Sequence, residues 1–308
     1  MPQFPIQFGF MSNISSEDQT SFASKTGSLK KVKNSPQSLF NIAMTVLAVA
    51  CLAITLLPLF AVLSYVTVQG FNRLNLDLFT KLPPPPGLSG GGIANAILGT
   101  LMTVGIASLI AVPFGVLAAV YLSEFSKGSI ARWVRFATNV LSGVPSIIAG
   151  VFAYGLFVVN MGGYSAIAGG AALAVLMLPT IVRTTDEALQ IVPQDIRWAS
   201  VGVGASNYQT VLQVVLPAAI PAILTGVTLA IARAAGETAP LIFTALNSPF
   251  WPAGFDKPTP SLSVLVYNFA TVPFQAQKEL AWAASLILVF MVLLTSILSR
   301  WATRQKVY

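Results

Sequence analysis

The stretch IARAAGETAP, residues 231–240, sets Arg233 and Glu237 four residues apart in a run that otherwise has the composition of a membrane helix. A charged side chain near the middle of such a helix costs about 2.5–3.5 kcal/mol on insertion scales, so it is retained where it is paired or faces water. On a continuous helix the spacing puts both side chains on one face, in the weaker arginine-before-glutamate order. Two readings suit the pair. A buried ion pair would pin its helix against its neighbours and never meet a substrate. In the other reading the guanidinium fork matches two oxygens of a passing oxyanion, while the carboxylate orients the arginine and weakens its hold enough for release. Arg183, beside Thr180, Thr184 and Thr185, is a second candidate anion contact, although membrane orientation alone also places arginines at inner helix ends.

The elements that must carry these residues follow from composition. Of 308 residues 55% are apolar and 9% charged, and the mean hydropathy is +0.76, values that exclude an ordinary water-soluble domain. The chain reads as a polytopic, all-helical membrane protein. It has one cysteine, Cys51, and no histidine, so neither a disulfide framework nor the usual zinc and haem ligand sets are on offer, and no metal site is expected. The net charge of +7 comes from basic residues flanking apolar runs, which points to topology rather than to a nucleic-acid partner.

Residues 1–37 are rich in Ser, Asn, Gln and Lys and read as a disordered basic tail, leaving residues 38–308 as the membrane domain. The first apolar run, 39–68, is much longer than the roughly 7 to 15 residues of a signal-peptide core and is expected to stay in the protein. Five further spans are expected at about 93–122, 133–159, 165–181, 218–245 and 280–298, making six helices. The stretches LPPPPGLSGGG and SPFWPAGFDKPTP cannot continue helices and read as external loops.

With the N-terminus inside, the cytoplasmic side holds Lys25, Lys30, Lys31, Lys33, Lys127, Arg132, Arg135, Arg183, Arg197, Arg300, Arg304 and Lys306, against Arg73, Lys81, Lys257 and Lys278 outside. That asymmetry predicts both termini in the cytoplasm. Within the spans, Pro145 in SGVPS is a candidate hinge and Pro221 a second break, while Gly105, Gly115, Gly150 and Gly155 suit close helix packing.

The cytoplasmic segment of about 183–217 carries helix signals. Thr184–Glu187 has the form of a capping box that would start a helix, Pro193 suits the first turn of a second, Gly202–Gly204 can end it, and Ser206 with Gln209 forms a second capping pair. One reading is an amphipathic elbow in the lipid interface, with Ile191, Ile196 and Trp198 dipped in and Asp195 and Arg197 out. The other is a docking surface for a cytoplasmic partner.

From Arg197 the chain runs RWASVGVGASNYQTVLQVVLP, which resembles the cytoplasmic loop motif of ABC-importer permeases. Gly204, Val214, Leu216 and Pro217 stand at the family's spacing, and the triplet that begins the motif is here Trp198-Ala199-Ser200, without the acidic residue. The stretches NAILGTLMT, LSGVPSIIAGVFAYG, MLPTIVRTTDEALQIVP, RAAGETAPLIFTALN and FWPAGFDKPTPSLSVLVYNFA narrow the resemblance to the PstA-type permeases of the phosphate-specific ABC importer.

That resemblance implies a six-helix type I importer fold in the bacterial cytoplasmic membrane, with the 183–217 segment as the coupling loop that inserts into an ATPase subunit. It also implies the partners: a PstC-type permease, two PstB-type ATPases that use ATP and Mg, and an external phosphate-binding protein. Inorganic phosphate would pass along the interface of the two permeases, past Arg233, Glu237 and Arg183. The chain has no G-x-x-x-x-G-K-[ST], G-x-S-x-G or H-E-x-x-H motif, so it is expected to have no catalytic residues, to bind no cofactor itself and not to be an enzyme. Three alternatives stay open: the PstC-type partner permease, an ion-gradient-driven anion transporter in which Glu237 takes the proton, and a membrane scaffold or sensor that conducts nothing.

Overall fold

The computed structural model of the chain describes residues 36–126 and 128–303. Almost all of the expected tail, and Lys127, lie outside the described residues. The chain divides into two units, residues 1–61 and 62–308. Among the described residues every regular element is helical, and five helices are long and apolar enough to cross a membrane, or six if a bent pair counts as one span.

The first long helix, α1 (Pro36–Phe71), crosses the boundary between the units. In its N-terminal unit, Leu39, Val46, Ile54, Leu57 and Phe60 are exposed, an apolar surface suited to lipid. In the second unit its last turns meet the final helix, α11 (Gln275–Thr303), where Tyr65 and Trp282 stack edge to face at 5.0 Å.

Between them come a short α2 (Leu76–Thr80), α3 (Ala94–Phe125), the bent pair α4 (Ser129–Ser142) and α5 (Ser146–Met161), and α6 (Ala166–Ile191). The elbow α7 (Gln194–Gly202), α8 (Asn207–Gly236), α9 (Ala239–Thr244) and α10 (Leu262–Thr271) follow. α6 is the central helix, and α3 and α8 pack on it through small residues. A Cβ on Gly115 would lie 2.8 Å from Ile181 Cγ2 and one on Gly170 would lie 2.5 Å from Ile106 Cγ2, so glycine sets the α3–α6 distance. Lipid supplies no hydrophobic drive for helix association, and close backbone approach of this kind replaces it. Of the four glycines expected to serve packing, Gly115 and Gly150 do, whereas Gly105 and Gly155 face open space.

Three expected boundaries are corrected. The span expected at 133–159 is two helices meeting at 103°, because Pro145 lacks a donor and biases Val144 away from helix. α6 does not end at 181 but runs to Ile191, and Thr184 does not cap a new helix. Its hydroxyl donates back to Thr180 O at 2.9 Å, a habit of threonine within helices that leaves the backbone ladder intact. The fifth span begins at Asn207 and stops at Gly236, nine residues short of its expected end at 245.

The two stretches expected as loops are loops. The second one satisfies the N-terminus of α6: Ala166 N donates to Lys257 O at 3.2 Å and Ile167 N to Phe255 O at 3.1 Å, while Ser165 Oγ accepts from Ala168 N at 3.1 Å. These are backbone donors that a helix start otherwise leaves unpaired.

Candidate functional site

The charged break at the end of α8 has a local cause. Gly236 weakens the last turn, and Pro240 two residues into α9 cannot continue the ladder, so the chain leaves helix between them. Glu237 is the C-cap, with φ −71° and ψ 127°. Its N–H donates to Ala234 O at 3.2 Å, and its carbonyl accepts from Ser263 Oγ of α10 at 2.9 Å. The expectation of two charges on one continuous helical face is therefore corrected for Glu237, but the two side chains still meet.

Arg233 Nε lies 3.4 Å from Glu237 Oε1, with side chains 55% and 17% exposed. Charge-assisted N–H···O bonds are strongest at about 2.7–2.9 Å, so this contact is long and weak. Among the described residues the two terminal nitrogens of Arg233 carry no hydrogen bond. A half-exposed guanidinium on a membrane helix is costly in lipid and is suited to a watery path or a partner surface. α5 closes on α9 beside the break, where a Cβ on Gly150 would stand 2.7 Å from Pro240 Cα.

Arg183 lies within α6, not at its end, and pairs with Glu187 at 2.9 Å, both side chains well exposed. The threonines expected around it make no hydrogen bond to it among the described residues. Thr184 packs on Gly226 of α8 and back-bonds its own helix, and Thr185 is fully buried with its hydroxyl unpartnered. No hydrogen bond or ion pair joins Arg183 to Arg233 or Glu237 among the described residues.

Two charged pairs were not visible in the sequence. Arg135 of α4 grips buried Asp186 of α6 bidentately, Nε to Oδ2 at 2.9 Å and Nη2 to Oδ1 at 3.0 Å, and Nη2 also reaches Leu122 O at 3.2 Å. Both line a cavity of about 560 Å³ with Asn139, Arg183 and Glu187. The second pair joins Glu124, at the end of α3, to Arg197 of α7. Charges in segments read as cytoplasmic need no partner, so nothing in the sequence asked for either one.

The elbow is helical as expected. Pro193 caps α7, and Ser206 and Gln209 form the reciprocal capping box, with Ser206 N donating to Gln209 Oε1 at 2.9 Å and Gln209 N to Ser206 Oγ at 3.3 Å. Gly204 sits at φ +97°, a left-handed position that turns the chain between the two helices. Trp198 and Ala199 are exposed, whereas Ser200 bonds buried Thr210 between hydroxyls at 2.9 Å. The interfacial alternative with Arg197 turned outward is corrected: the Arg197 side chain is only 14% exposed and turns inward to Glu124. Val214, Leu216 and Pro217 lie inside α8 rather than in the elbow. The π-helical turn Val211–Val215 precedes Pro217 and accommodates its missing donor, as Leu216 N bonds Val211 O.

Residues 111–306 match the family model of the binding-protein-dependent transport system inner membrane component. The phosphate transport system permease protein PstA of Yersinia pestis is 40% identical over 256 residues, 83% of this chain and 87% of that protein. The protein of the same name from Haemophilus influenzae is 41% identical over 77% of this chain and 84% of its own length, and the one from Mycobacterium leprae is 35% identical over 85% and 86%.

Among solved structures, an inward-facing form of the MetNI methionine ABC transporter superposes with a TM-score of 0.59 at 21% identity, covering 70% of this chain and 97% of that one. A bacterial alginate ABC transporter bound to its periplasmic protein superposes with a TM-score of 0.61 at 14% identity, covering 86% and 96%. These likenesses establish the helical fold of an ABC-importer permease. Joined to the sequence relatives and the matched family model, they identify the chain as a multi-pass membrane protein of the binding-protein-dependent transport system inner membrane component family, among its PstA-type permeases.

Proposed function

We propose that this chain is one permease half of an ATP-driven importer that moves inorganic phosphate across the bacterial cytoplasmic membrane by alternating access. The observation that carries the reading is 40% identity over 83% of the chain to a protein named as a phosphate transport permease. The charged break in α8 supplies a place for the anion. Arg233 offers two terminal nitrogens that carry no hydrogen bond among the described residues, and its bond to Glu237, at 3.4 Å, is loose enough for an oxyanion to compete. Glu237 offsets part of the positive charge, so phosphate is held and then released. Arg183, already paired at 2.9 Å, is a second stepping point.

In this reading a PstC-type permease completes the path, two PstB-type ATPases supply ATP and Mg chemistry, and an external phosphate-binding protein delivers the anion. Residues 1–37 are a basic cytoplasmic tail, residues 38–308 the permease domain, and both termini lie in the cytoplasm. The elbow formed by Trp198, Ala199, Ser200 and Gly204 meets the ATPase, and Val214, Leu216 and Pro217 carry its movement into α8. ATP binding closes the ATPase pair and turns the path outward, and differential affinity for the two states makes the coupling possible.

Labelled phosphate uptake in cells lacking the gene tests the proposal. Wild type restores uptake, and an ATP-hydrolysing subunit co-purifies with it. Restored uptake without that subunit, abolished by a protonophore, would favour the gradient-driven alternative. Glu237→Gln lowers uptake about tenfold, equivalent to roughly 1.4 kcal/mol of lost stabilisation, and uptake at the wild-type rate would remove the carboxylate from the path.

Gly204→Asp places a side chain at φ +97°, a strain of about 1–3 kcal/mol. The amount of co-purified ATPase falls, and an unchanged amount would place the contact elsewhere.

A further inference from the structure

α7 is joined to α6 and α8 by the chain itself, through Val192–Pro193 and through residues 203–206. Its tie to α3 is different, because it is made by side chains 73 residues apart. Glu124 lies in the π-helical turn Tyr121–Phe125 that ends α3, and such a turn re-aims the residues it contains. It pairs with Arg197 Nη1, and the two side chains are only 14% (Arg197) and 7% (Glu124) exposed. Arg197 Nη2 also donates to Leu189 O near the end of α6 at 2.8 Å, so one guanidinium touches both α3 and α6.

Apart from Ser200, which bonds Thr210 of α8, the rest of α7 faces outward, with Trp198 and Val201 exposed and Asp195 in solvent. A charge on this element therefore has water within reach, and membrane topology gives no reason to bury one. Desolvating an arginine and a glutamate together is costly unless the pair is well made, and breaking it strands a buried charge. Such a link holds its two elements in one relative position or fails; it does not stretch.

We propose that Glu124 is a positioning residue for energy coupling: its pair with Arg197 makes α7 and the end of α3 one mechanical unit. Force applied to α7 by an ATP-hydrolysing partner then reaches α3 without slip. α3 in turn packs on α6 at Gly115 and Gly170, so movement of the elbow is passed into the central helix pair. Without the pair, α7 can tilt between its ends at Pro193 and Gly204, and ATP is consumed with less transport. The inference rests on the reading of α7 as the surface that meets the ATPase.

The test uses the whole complex with its ATPase subunits, in lipid nanodiscs and proteoliposomes, with Cys51→Ser as background. Nitroxide labels on Tyr121→Cys and Gln194→Cys, both exposed positions, report the α3–α7 distance by pulsed electron resonance, without nucleotide and with ATP plus vanadate. With Glu124 and Arg197 intact, one narrow distance is expected in both conditions. Glu124→Gln alone leaves the arginine charge stranded, so the main variant is Glu124→Gln with Arg197→Met, which removes both charges at similar volume.

In that double variant the distance distribution broadens and shifts with nucleotide, while the amount of bound ATPase is unchanged. Phosphate moved per ATP hydrolysed falls at least about fivefold, the lower end of ordinary coupling strengths. Glu124→Asp, which keeps the charge, moves the ratio back toward wild type. A distance that changes with nucleotide in the wild type overturns the proposal. So does a double variant with a narrow distance and the wild-type ratio, and so does loss of the ATPase from the complex, which would make the link merely structural. A wild-type complex that moves no phosphate would instead overturn the transport reading, and the label distances would still decide the link.

Discussion

Arg233→Gln abolishes phosphate uptake, by at least about 100-fold or roughly 2.7 kcal/mol, while the variant reaches the membrane at the wild-type level. The geometry separates these two effects. Arg233 is half-exposed, and among the described residues its polar contact is the long one to Glu237 at 3.4 Å, so its removal costs the fold little. What it does remove is the positive charge and the planar donor set that can make paired charge-assisted bonds to an oxyanion. Glutamine keeps most of the length and some hydrogen bonding but neither the charge nor the fork. Arg233→Lys keeps the charge as a point and is expected to fall between the two. The measurement is initial uptake of labelled phosphate at matched membrane levels. A variant that disappears from the membrane would instead mark the pair as structural. One that transports normally would move the path away from the α8 break.

Gly99→Ala has the second large effect, this time on folding. A Cβ there falls inside the van der Waals envelope of Pro260 O, with Thr259 Cγ2 at 2.8 Å and Pro260 C at 2.9 Å. The obstruction is backbone, and it cannot move aside. Thr259 N is bonded to Ala245 O at 3.0 Å and Leu262 N to Thr100 Oγ1 at 2.8 Å, so the segment is tied down on both sides of Pro260. Over-packing costs about 1–3 kcal/mol where neighbours can shift and more where they cannot. We expect most of the membrane-inserted protein to be lost. Gly105→Ala, on the same helix but facing open space, is the control, and alanine is favoured over glycine in a helix by about 0.8–1.0 kcal/mol. Abundance in the membrane and the aggregation temperature in detergent check both. Normal accumulation of Gly99→Ala would mean that the 255–262 segment is not seated on α3.

The sequence reading went wrong at places that share one cause. RTTDE at 183–187 lowers local hydropathy and has the pattern of a capping box, so it reads as the end of one helix and the start of another. α6 runs straight through it because buried Asp186 is paired with Arg135, while Glu187 stays exposed on the helix surface beside Arg183. Arg197 reads as a solvated charge on an amphipathic elbow, yet its side chain is largely withdrawn from solvent because Glu124 meets it. The reverse holds at Ser206–Gln209, where a capping pattern predicts the observed box, since everything it needs lies within four residues. At Pro145 the break is legible and its 103° angle is not, because the proline dictates only that the ladder stops.

By itself the sequence determined the apolar helices, their breaks at Gly and Pro, the two Pro- and Gly-rich loops, the helical elbow and the family to which the chain belongs. Each of these depends on transfer free energies or backbone geometry summed over neighbouring residues, and a linear chain displays its neighbours. Only the tertiary structure decided which charges are paired, which glycines are crowded and how far Arg233 is exposed. Arg135 and Asp186 are 51 residues apart and Glu124 and Arg197 are 73 apart. Electrostatic attraction and steric contact depend on distance through space, and that distance exists only once α3, α4, α6 and α7 have packed.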